Sequence, residues 1–378
     1  MNYDFTEAEL TFFADVEKKM DALGGVEQLE TRDPSGGTQH ISRVMETLAK
    51  TPYLKLGIEP VEGLNGNLSL MGAMEVFAGI SPSACLSIEA SARLFARAVS
   101  LWGTREQKER FLAPVLEGKA IGALALPEVS MNIENEPLAA SGQKKGQHVI
   151  VNGAKKCVIN APVADWIAVA GLFGEKYALF VVGKDTAGLM IEPGLETAGY
   201  QGTPISGISL EDCEIPPEHV ILPPDGTKMP ETLRTAENLT LLGASLGLSK
   251  TAFDAAREHA KSHHTGGKPI IAYQEIGFKL ADMLTMLQTS RLLAYRTAWT
   301  LETDPGQAEE LILCAKVFCA ETCEQICSEA LKILGADGYI SGNRAERAYR
   351  CAKYGQVAGT STEIARVRIG DAALGYRK

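Results

Sequence analysis

The first third of the chain repeats apolar residues at the three- and four-residue spacing of amphipathic helices. Residues 68–78 have this spacing and end at Gly79, and Pro82 opens a second run that continues through Trp102. Helices with one apolar face must pack against each other. Residues 1–120 are therefore predicted to form a domain of antiparallel helices.

Beyond Gly118 the pattern changes to short apolar runs between turns, which predict strands. The runs cover residues 121–126, 147–152, 166–170, 177–182 and 207–210. Glycines and prolines separate the runs, and four prolines between positions 216 and 224 mark the end of this part. Residues 121–225 are predicted to form a small β-sandwich or barrel inserted between helical segments.

From residue 231 onward the pattern is helical again, in longer segments. Apolar residues keep helical spacing in residues 231–259, 270–301 and 307–334, and in a last segment from about Thr362. Residues 226–378 are therefore predicted to form a four-helix bundle. The predicted fold class is α+β, in the order N-terminal helical domain, β domain and C-terminal four-helix bundle.

The charge of the chain limits its partners. It has 37 Lys and Arg against 47 Asp and Glu, a formal net charge of −10 without a basic cluster. Neither nucleic acid nor an anionic membrane surface is an expected partner. No uncharged apolar run approaches the roughly 18 residues that span a bilayer, and the polar start does not resemble a signal peptide. We expect a cytoplasmic protein without a membrane span.

Four of the eight cysteines lie close together, at Cys314, Cys319, Cys323 and Cys327. A disulfide framework is not expected in a long chain without an export signal. Metal sites usually pair their ligands at C-x-x-C spacing on turns, whereas a spacing of four on an apolar helix places small side chains on one buried face. We predict buried helix cysteines and no metal site.

Four segments, in chain order, resemble motifs of the acyl-CoA dehydrogenase superfamily. They are Trp102-Gly-Thr-Arg-Glu-Gln-Lys-Glu-Arg-Phe-Leu112, Glu211-Asp-Cys-Glu-Ile-Pro216, residues 267–283 and residues 333–366. In this family a carboxylate removes the α proton of an acyl-CoA substrate, and FAD accepts hydride from the β carbon. The resemblance also implies an electron-transfer flavoprotein as a partner, and a homodimer or homotetramer.

The catalytic glutamate usual in the family is missing. The matching position holds Gly359, and moving the match by one residue brings Ala358 there. Some branched-chain and long-chain members carry the base on a bundle helix, in a segment that residues 237–248 resemble without a gap. The resemblance therefore makes Glu237 the candidate base, in front of an almost wholly apolar stretch. The alternative is a solvated glutamate favoured by the dipole of a helix start.

The expected flavin contacts depart from the family pattern. Pro127 replaces a hydroxyl that faces the ring, Cys157 replaces a stacking tryptophan, and Ile159 replaces a threonine near N5. In the part of the flavin site that one subunit contributes to its neighbour, His263 replaces an arginine at the pyrophosphate and Gly266 replaces a phenylalanine. A stacked ring is worth about 1 kcal/mol and an arginine–phosphate pair somewhat more, so FAD binding is expected to be much weaker.

Some positions still match FAD contacts of the family. By this resemblance, seven residues are candidate FAD contacts: Leu126, Ile159, His263, Lys332, Gly335, Ser361 and Glu363. Ser361 and Glu363 match positions at the adenosine part, and Lys332 with Gly335 matches the contact to the neighbouring subunit. The alternative for His263 is a solvated residue at a helix end.

Three hypotheses follow from these matches and departures. The first is an acyl-CoA dehydrogenase-like oxidoreductase with FAD in an altered site and Glu237 as base. The second is a flavin-free lyase, hydratase or isomerase of CoA thioesters, because a base alone can remove an α proton. The third is a non-catalytic subunit of a heteromeric dehydrogenase, paired with a paralogue.

Overall fold

The computed structural model describes residues 4–24, 26–31, 37–130, 133 and 136–376. The chain starts with helices, as the apolar periodicity predicts. Their bounds are α1 Glu7–Ala22, α2 Val26–Leu29, α3 Gly37–Leu48, α4 Gly66–Ile80, α5 Pro82–Glu89, α6 Arg97–Trp102, α7 Arg105–Gln107 and α8 Ala113–Leu116. A π-helical stretch, Ala90–Ala96, joins α5 to α6 without a break.

The break between α4 and α5 follows from local chemistry. Pro82 has no amide hydrogen to continue α4, and Ser81 caps the new helix by accepting a hydrogen bond from the backbone of Ala84 at 3.2 Å. The buried carboxylate of Glu30 accepts hydrogen bonds from the hydroxyls of Ser81 and Ser83. Helix α5 therefore starts at a fixed point inside the N-terminal domain.

The middle of the chain forms one hydrogen-bonded sheet. Its strands are β1 Gly122–Ala125, β2 Ser141–Lys145, β3 His148–Ile159, β4 Trp166–Phe173, β5 Lys176–Gly183, β6 Leu189–Ile191, β7 Ile205–Ile215 and β8 Val220–Ile221. The strand order is β6-β7-β3-β2-β4-β5-β8, with β1 paired in parallel to β4. Valine, isoleucine and alanine side chains from β1, β3, β4, β5 and β7 form a core of their own inside this domain.

The C-terminal part is built from three helices of 30 residues or more, packed with shorter ones. Their bounds, with a small hairpin, are α9 Met229–Ser262, β9 His264–Thr265, β10 Lys268–Pro269, α10 Gln274–Thr303, α11 Pro305–Leu334, α12 Ala336–Tyr339, α13 Arg344–Ala352, α14 Tyr354–Val357 and α15 Thr362–Ala373. Glycine allows α9 to approach α4 closely, since a Cβ at Gly247 would lie 2.6 Å from the carbonyl oxygen of Glu75.

The three parts of the chain are joined by side-chain hydrogen bonds. The Gln107 amide donates to the carbonyl oxygens of Glu218 and Val220, and the Asn160 amide donates to Ser87 at 2.7 Å. Arg291 of α10 pairs with the buried Glu75 of α4. The β domain and the bundle are therefore both anchored to the N-terminal helices.

The predicted fold class is confirmed, and so are the main elements. The apolar pattern missed β2, because the sequence Ser-Gly-Gln-Lys-Lys has no apolar face, and it missed the short β6. Strand β3 runs seven residues beyond its predicted end at Asn152, through polar positions that pair with β7. Hydrogen bonding to β3 and β7, rather than apolar alternation, defines these strands.

The cysteines of α11 lie inside the helical core. Cys319, Cys323 and Cys327 are buried, and Cys314 is half-buried. Among the described residues, no group of three or more His, Cys, Asp and Glu side chains is arranged to hold a metal ion. None of the helices in the described part combines the length and apolar character that crossing a bilayer needs.

Candidate functional site

The loop after α14, residues 358–360, lies against α9 at Asn238 and Leu241. Asn238, the next residue of α9, is buried and accepts a hydrogen bond from the Thr360 backbone at 3.0 Å. Its amide also donates to the Thr360 hydroxyl at 3.1 Å. The loop that carries the usual base in the family is therefore fixed to α9 at the residue that follows Glu237.

Gly359 leaves no room for a side chain in this loop. Its φ of +64° is a conformation that residues with a Cβ rarely adopt. A Cβ there would lie 2.5 Å from Oδ1 of Asn238 and 3.1 Å from Leu241. The amide of Asn238 thus fills the space through which a side chain at position 359 would leave the loop.

A buried lysine holds the same loop from the opposite side. The Lys316 ammonium, on α11, donates to the carbonyl oxygens of Gly355, of Ala358 at 3.0 Å and of Thr360 at 3.3 Å. Burial lowers the pKa of Lys316 from 10.5 to about 8, although the nearby carboxylate of Glu237 opposes this change. The loop is thus clamped between a charged donor and the Asn238 amide.

Glu237 forms a short ion pair with Arg234. Its Oε2 accepts a hydrogen bond from Nη1 of Arg234 at 2.6 Å, and 18% of its side chain is exposed. Burial first, and then the nearby Glu237 carboxylate, raises the pKa of the Tyr354 phenol. Glu237 is therefore an ion-paired, partly accessible carboxylate between an arginine, a tyrosine and the clamped loop.

The β-domain candidates lie across from Tyr354. Leu126 and Ile159 are buried, and the Leu126 carbonyl oxygen accepts a hydrogen bond from the Lys155 ammonium at 3.2 Å. Cys157 is exposed in a positive-φ conformation and lies close enough to Tyr354 to contribute to its raised pKa. A sulfur atom, not a ring, occupies the position where the family resemblance expects stacking.

The family segment at residues 127–134 is only partly described. Met131, Asn132 and Glu134 lie outside the described residues. Within the described part, Glu128 pairs with the buried Lys155 at 2.8 Å and accepts hydrogen bonds from the amides of Ala139 and Ala140. The Glu128 carboxylate therefore holds the chain that leads into β2.

Ser361 and Glu363 lie at the start of α15, next to the clamped loop. The Ser361 hydroxyl caps this helix by accepting a hydrogen bond from the Ile364 amide at 3.3 Å. The Glu363 carboxylate is near enough to Lys316 to oppose the lowering of its pKa. The structure thus brings Ser361, Glu363 and Glu237 together around Lys316.

His263, Lys332 and Gly335 form a second group at the other end of the bundle. His263 stacks on His259 with ring centroids 4.8 Å apart, and His259 lies 4.0 Å from Asp337, two residues after Gly335. Lys332 is exposed and pairs with Glu329. At 1.5 Å per residue, His263 is about 39 Å further along α9 than Glu237. The two groups cannot contact the same part of one ligand within a single chain.

A polar groove leads from the surface to the arginine that pairs with Glu237. Its inner depression, about 280 Å³, includes Tyr177, Glu231, Arg234 and Arg368 in its lining. An adjoining outer depression, about 290 Å³, shares Tyr177 and Glu231 and adds Lys176 and Lys228. Asp225 pairs with Lys176 at 2.8 Å, whereas Arg368 and Lys228 have no carboxylate partner within the described ranges. The groove offers two unpaired cations.

Sequence reasoning missed Lys316 and Asn238. A single lysine within the apolar, cysteine-rich run of α11 was the available signal for Lys316, since a buried cation needs hydrogen-bond partners. Asn238 had no comparable signal. Its partner Thr360 lies 122 residues away in the chain.

A helical domain, a β domain and a C-terminal helical bundle, with a carboxylate beside the clamped loop, define the class of the acyl-CoA dehydrogenases. The chain belongs to this superfamily. Family models described as the N-terminal, middle and C-terminal domains of acyl-CoA dehydrogenase match residues 26–119, 130–213 and 225–374.

Relatives with named activities cover most of the chain. Benzylmalonyl-CoA dehydrogenase of Aromatoleum aromaticum is 30% identical over 72% of this chain and 73% of its own length. The caffeyl-CoA reductase-Etf complex subunit CarC of Acetobacterium woodii is 28% identical over 95% of this chain and 92% of its own. Human mitochondrial short-chain specific acyl-CoA dehydrogenase is 29% identical over 73% of this chain and 68% of its own.

Solved structures share the fold. Butyryl-CoA dehydrogenase from Megasphaera elsdenii matches with a TM-score of 0.89 at 22% identity, covering 99% of this chain and all of that one. Glutaryl-CoA dehydrogenase from Mycobacterium smegmatis, solved in complex with FADH2, matches with a TM-score of 0.88 at 20% identity, covering 98% of this chain and 95% of that one. At these identities the likeness establishes the fold.

Proposed function

We propose that the chain removes the α proton of a CoA thioester with the carboxylate of Glu237. The observation that carries this proposal is the position of Glu237 beside the loop that holds the base in most of the family. The thioester carbonyl acidifies the α carbon, and a positioned carboxylate accepts the proton. This step is common to dehydrogenases and to flavin-free lyases, hydratases and isomerases of thioesters.

The polar groove is the proposed path of the CoA moiety. Arg368 and Lys228 are the cations available to its phosphate groups. The thioester then reaches Glu237 past Arg234, one helical turn earlier on α9. Arg234 holds Oε2 of the carboxylate, so we assign proton transfer to Oε1.

An exchange experiment tests this proposal. In deuterated water, the wild-type chain should exchange the α protons of an acyl-CoA, and Glu237→Gln should reduce the rate by at least a hundredfold, because an amide cannot accept the proton. Glu309→Gln, which changes an exposed glutamate on α11, is the matched control and should exchange at the wild-type rate. Mass spectrometry of the thioester measures the rate. Equal rates in the wild type and Glu237→Gln would exclude Glu237 as the base.

Family members bind FAD, but the candidate positions of this chain do not fit it well. The candidate positions offer no aromatic ring for stacking, Lys332 is paired with Glu329, and the Leu126 carbonyl is engaged by Lys155. The two groups of candidates are also about 39 Å apart along α9. We therefore assign no step of the reaction to a flavin bound by one chain.

The complete dehydrogenase reaction, with FAD as hydride acceptor and an electron-transfer flavoprotein as electron acceptor, is the second candidate function. Superfamily membership favours it. The resemblance assigns His263, Lys332 and Gly335 to FAD, and because they lie about 39 Å along α9 from Glu237, a second chain would have to complete the site. A paralogous chain with intact flavin contacts is the alternative partner to a second copy.

An absorption spectrum separates these arrangements. Because the stacking and pyrophosphate contacts are missing, we expect the purified chain, incubated with FAD and then desalted, to show no flavin band at about 450 nm. A band that appears only after co-expression with a paralogous dehydrogenase would support a heteromeric enzyme. A stoichiometric band in the chain alone would show that the altered site binds FAD, and would make the complete reaction the better candidate.

A further inference from the structure

A depression separate from the polar groove lies in the β domain, and we call it the β-domain depression. It is formed by the start of β4, the ends of β5 and β7 and the turn at residues 217–219, and it measures about 510 Å³. Among its lining residues are Asp165, Trp166, Lys184, Asp185, Glu214 and His219.

The β-domain depression and the polar groove lie at opposite ends of β5. The groove is lined by Lys176 and Tyr177, at the start of this strand, and the depression by Gly183, at its end. From Tyr177 to Gly183 the strand extends about 20 Å, at roughly 3.3 Å per residue. The depression is therefore a separate feature, which the proposed function does not use.

His219 gives the depression a buried hydrogen-bond acceptor. Only 6% of this residue is exposed, and its Nδ1 lies 3.0 Å from the carbonyl oxygen of Val181. A carbonyl oxygen can only accept, so Nδ1 carries the hydrogen, and in the neutral ring Nε2 keeps a lone pair. Among the described residues, no group donates a hydrogen bond to Nε2. The protein therefore leaves this acceptor without a donor.

The surroundings of the His219 ring keep it neutral. Burial, and then the positive charge of Arg110, lowers the pKa of the imidazole. The rings of Phe111 and Trp166 meet it edge to face, with centroids 5.0 and 5.7 Å away. A protonated ring would present a second donor, whereas the neutral ring presents Nε2 as an acceptor. The group that is missing at Nε2 is therefore a hydrogen-bond donor.

The charged side chains of the depression are mostly negative. Lys184 pairs with Asp165 at 3.0 Å, so these two charges offset each other. Asp185 and Glu214 are exposed, and neither has a cation within ion-pair distance in the described part of the chain. Together they outweigh the charge of Arg110, which does not line the depression. The two free carboxylates favour a donor that carries a positive charge.

The lining also favours one kind of cation. A single lone pair matches one N–H of an ammonium group, whereas the forked donors of a guanidinium suit the two oxygens of a carboxylate. Trp166 is half-buried, and an ammonium or the methylene groups beside it can pack on such a ring. A metal ion needs a set of converging ligands, and the residues that the structure describes contain no such group of three or more.

We propose that the β-domain depression binds a primary alkylammonium group, which donates one N–H to Nε2 of His219. Its charge faces Asp185 and Glu214, and its alkyl chain packs on Trp166. A free amine and the lysine side chain of another protein present the same group, so both are sources of this ligand. The site does not involve Glu237, and its test is therefore independent of the proposed function.

Fluorine NMR tests the proposal. The chain has three tryptophans, so labelling with 5-fluorotryptophan gives three resonances, and Trp166→Phe assigns the one at the depression. The probes are butylammonium chloride and the uncharged 1-butanol, titrated at neutral pH and constant ionic strength. Butylammonium should shift the Trp166 resonance to saturation and bind at least about tenfold more tightly than butanol, as expected for a hydrogen bond to a charged group.

Variants assign the binding to individual side chains. His219→Phe keeps an aromatic ring but removes the acceptor, so it should weaken butylammonium binding at least about tenfold. Glu214→Gln should weaken it by up to about fivefold, the range of an exposed ion pair, and added salt should reduce this difference. Glu211→Gln, at an exposed glutamate of the same strand outside the depression, is the matched control and should bind as the wild type does.

Thermal unfolding shows whether His219→Phe folds. If it does not, the double variant Asp185→Asn with Glu214→Gln decides, because it changes exposed side chains only. Unchanged butylammonium binding in the double variant, or in a folded His219→Phe, would contradict the proposal. The proposal is also wrong if butylammonium does not move the Trp166 resonance, or if butanol binds as tightly.

A third probe, Nα-acetyl-lysinamide, separates the two sources of the ligand. It carries the same ammonium group on a side chain between two peptide bonds. Tighter binding than that of butylammonium would indicate a lysine of another protein, because the peptide groups then add contacts of their own. Binding that is no tighter would indicate a free amine.

Discussion

At the scale of single residues, Lys316 is the unusual feature of the bundle. A lysine that is 1% exposed has given up its hydration and receives three backbone carbonyl oxygens in return. Neutral carbonyls do not cancel its charge, and the nearest acidic groups, Glu237 and Glu363, are outside ion-pair distance. The charged form is therefore less stable in the folded chain than in the unfolded one.

The stability of the chain should consequently depend on pH through Lys316. Below about pH 8 both states carry the proton, and the penalty for the buried charge is fully present. Between pH 8 and 10.5 the folded chain releases the proton while the unfolded chain keeps it, so this residue makes the free energy of unfolding rise with pH. The rise should be about 3 kcal/mol, at 1.36 kcal/mol per pKa unit.

Urea unfolding of Lys316→Met beside the wild type measures this contribution. The variant cannot titrate at this position, so the difference in unfolding free energy between the two proteins should change by about 3 kcal/mol across that pH range. Taking the difference removes the opposing titration of buried cysteines and tyrosines, which both proteins share. Lys250→Met, at an exposed lysine of α9, should run parallel to the wild type. Parallel curves for Lys316→Met would show that the buried lysine has an ordinary pKa.

At the scale of elements, the sequence predicts the long helices well and the strands less completely. Helices α9, α10 and α11 keep a regular apolar spacing over 30 residues or more, so their existence and approximate ends follow from local pattern. Strand β2 has no such pattern, since its position depends on β3 and β4. Long-range pairing determines it, and a local pattern does not contain that information.

The candidate site also contains features that the sequence predicts and features that it does not. Glu237 could be chosen from the sequence because the segment after it resembles a family motif, and its role as base stays a prediction. The loop clamp could not be predicted, because Lys316 and Asn238 reach the loop from two different helices. The loss of the usual base is visible in the sequence as Gly359, but the structural reason for a glycine there becomes clear only from the position of the Asn238 amide.

At the scale of the whole molecule, α10 and α11 carry apolar side chains that the chain itself does not cover. Phe278 is 62% exposed and Leu292 60%, and Phe318 of α11 is 37% exposed. Exposed apolar side chains along packed helices are typical of surfaces that bind another protein. We propose that this face joins two copies of the chain, as the family resemblance implies.

Sedimentation velocity tests this assembly. The wild type should sediment as a dimer or tetramer of the 40.5 kDa chain at micromolar concentration. Leu292→Glu should weaken the association at least tenfold, because it places a charge in an apolar contact. Leu195→Glu, an exposed leucine beside the β domain, is the matched control and should assemble as the wild type does. A monomeric wild type would contradict the proposal and leave both groups of FAD candidates incomplete.

The shape of the loop at Gly359 has a consequence for how this chain can change over evolutionary time. A glutamate returned to position 359 by one substitution would meet both an unfavourable backbone conformation and the Asn238 amide. Replacing Asn238 first would release Thr360 and loosen the loop before any benefit appears. In either order of substitution, the intermediate protein has a strained or a loosened loop. The departure from the common position of the base is therefore hard to reverse, and selection can act more readily on the surroundings of Glu237.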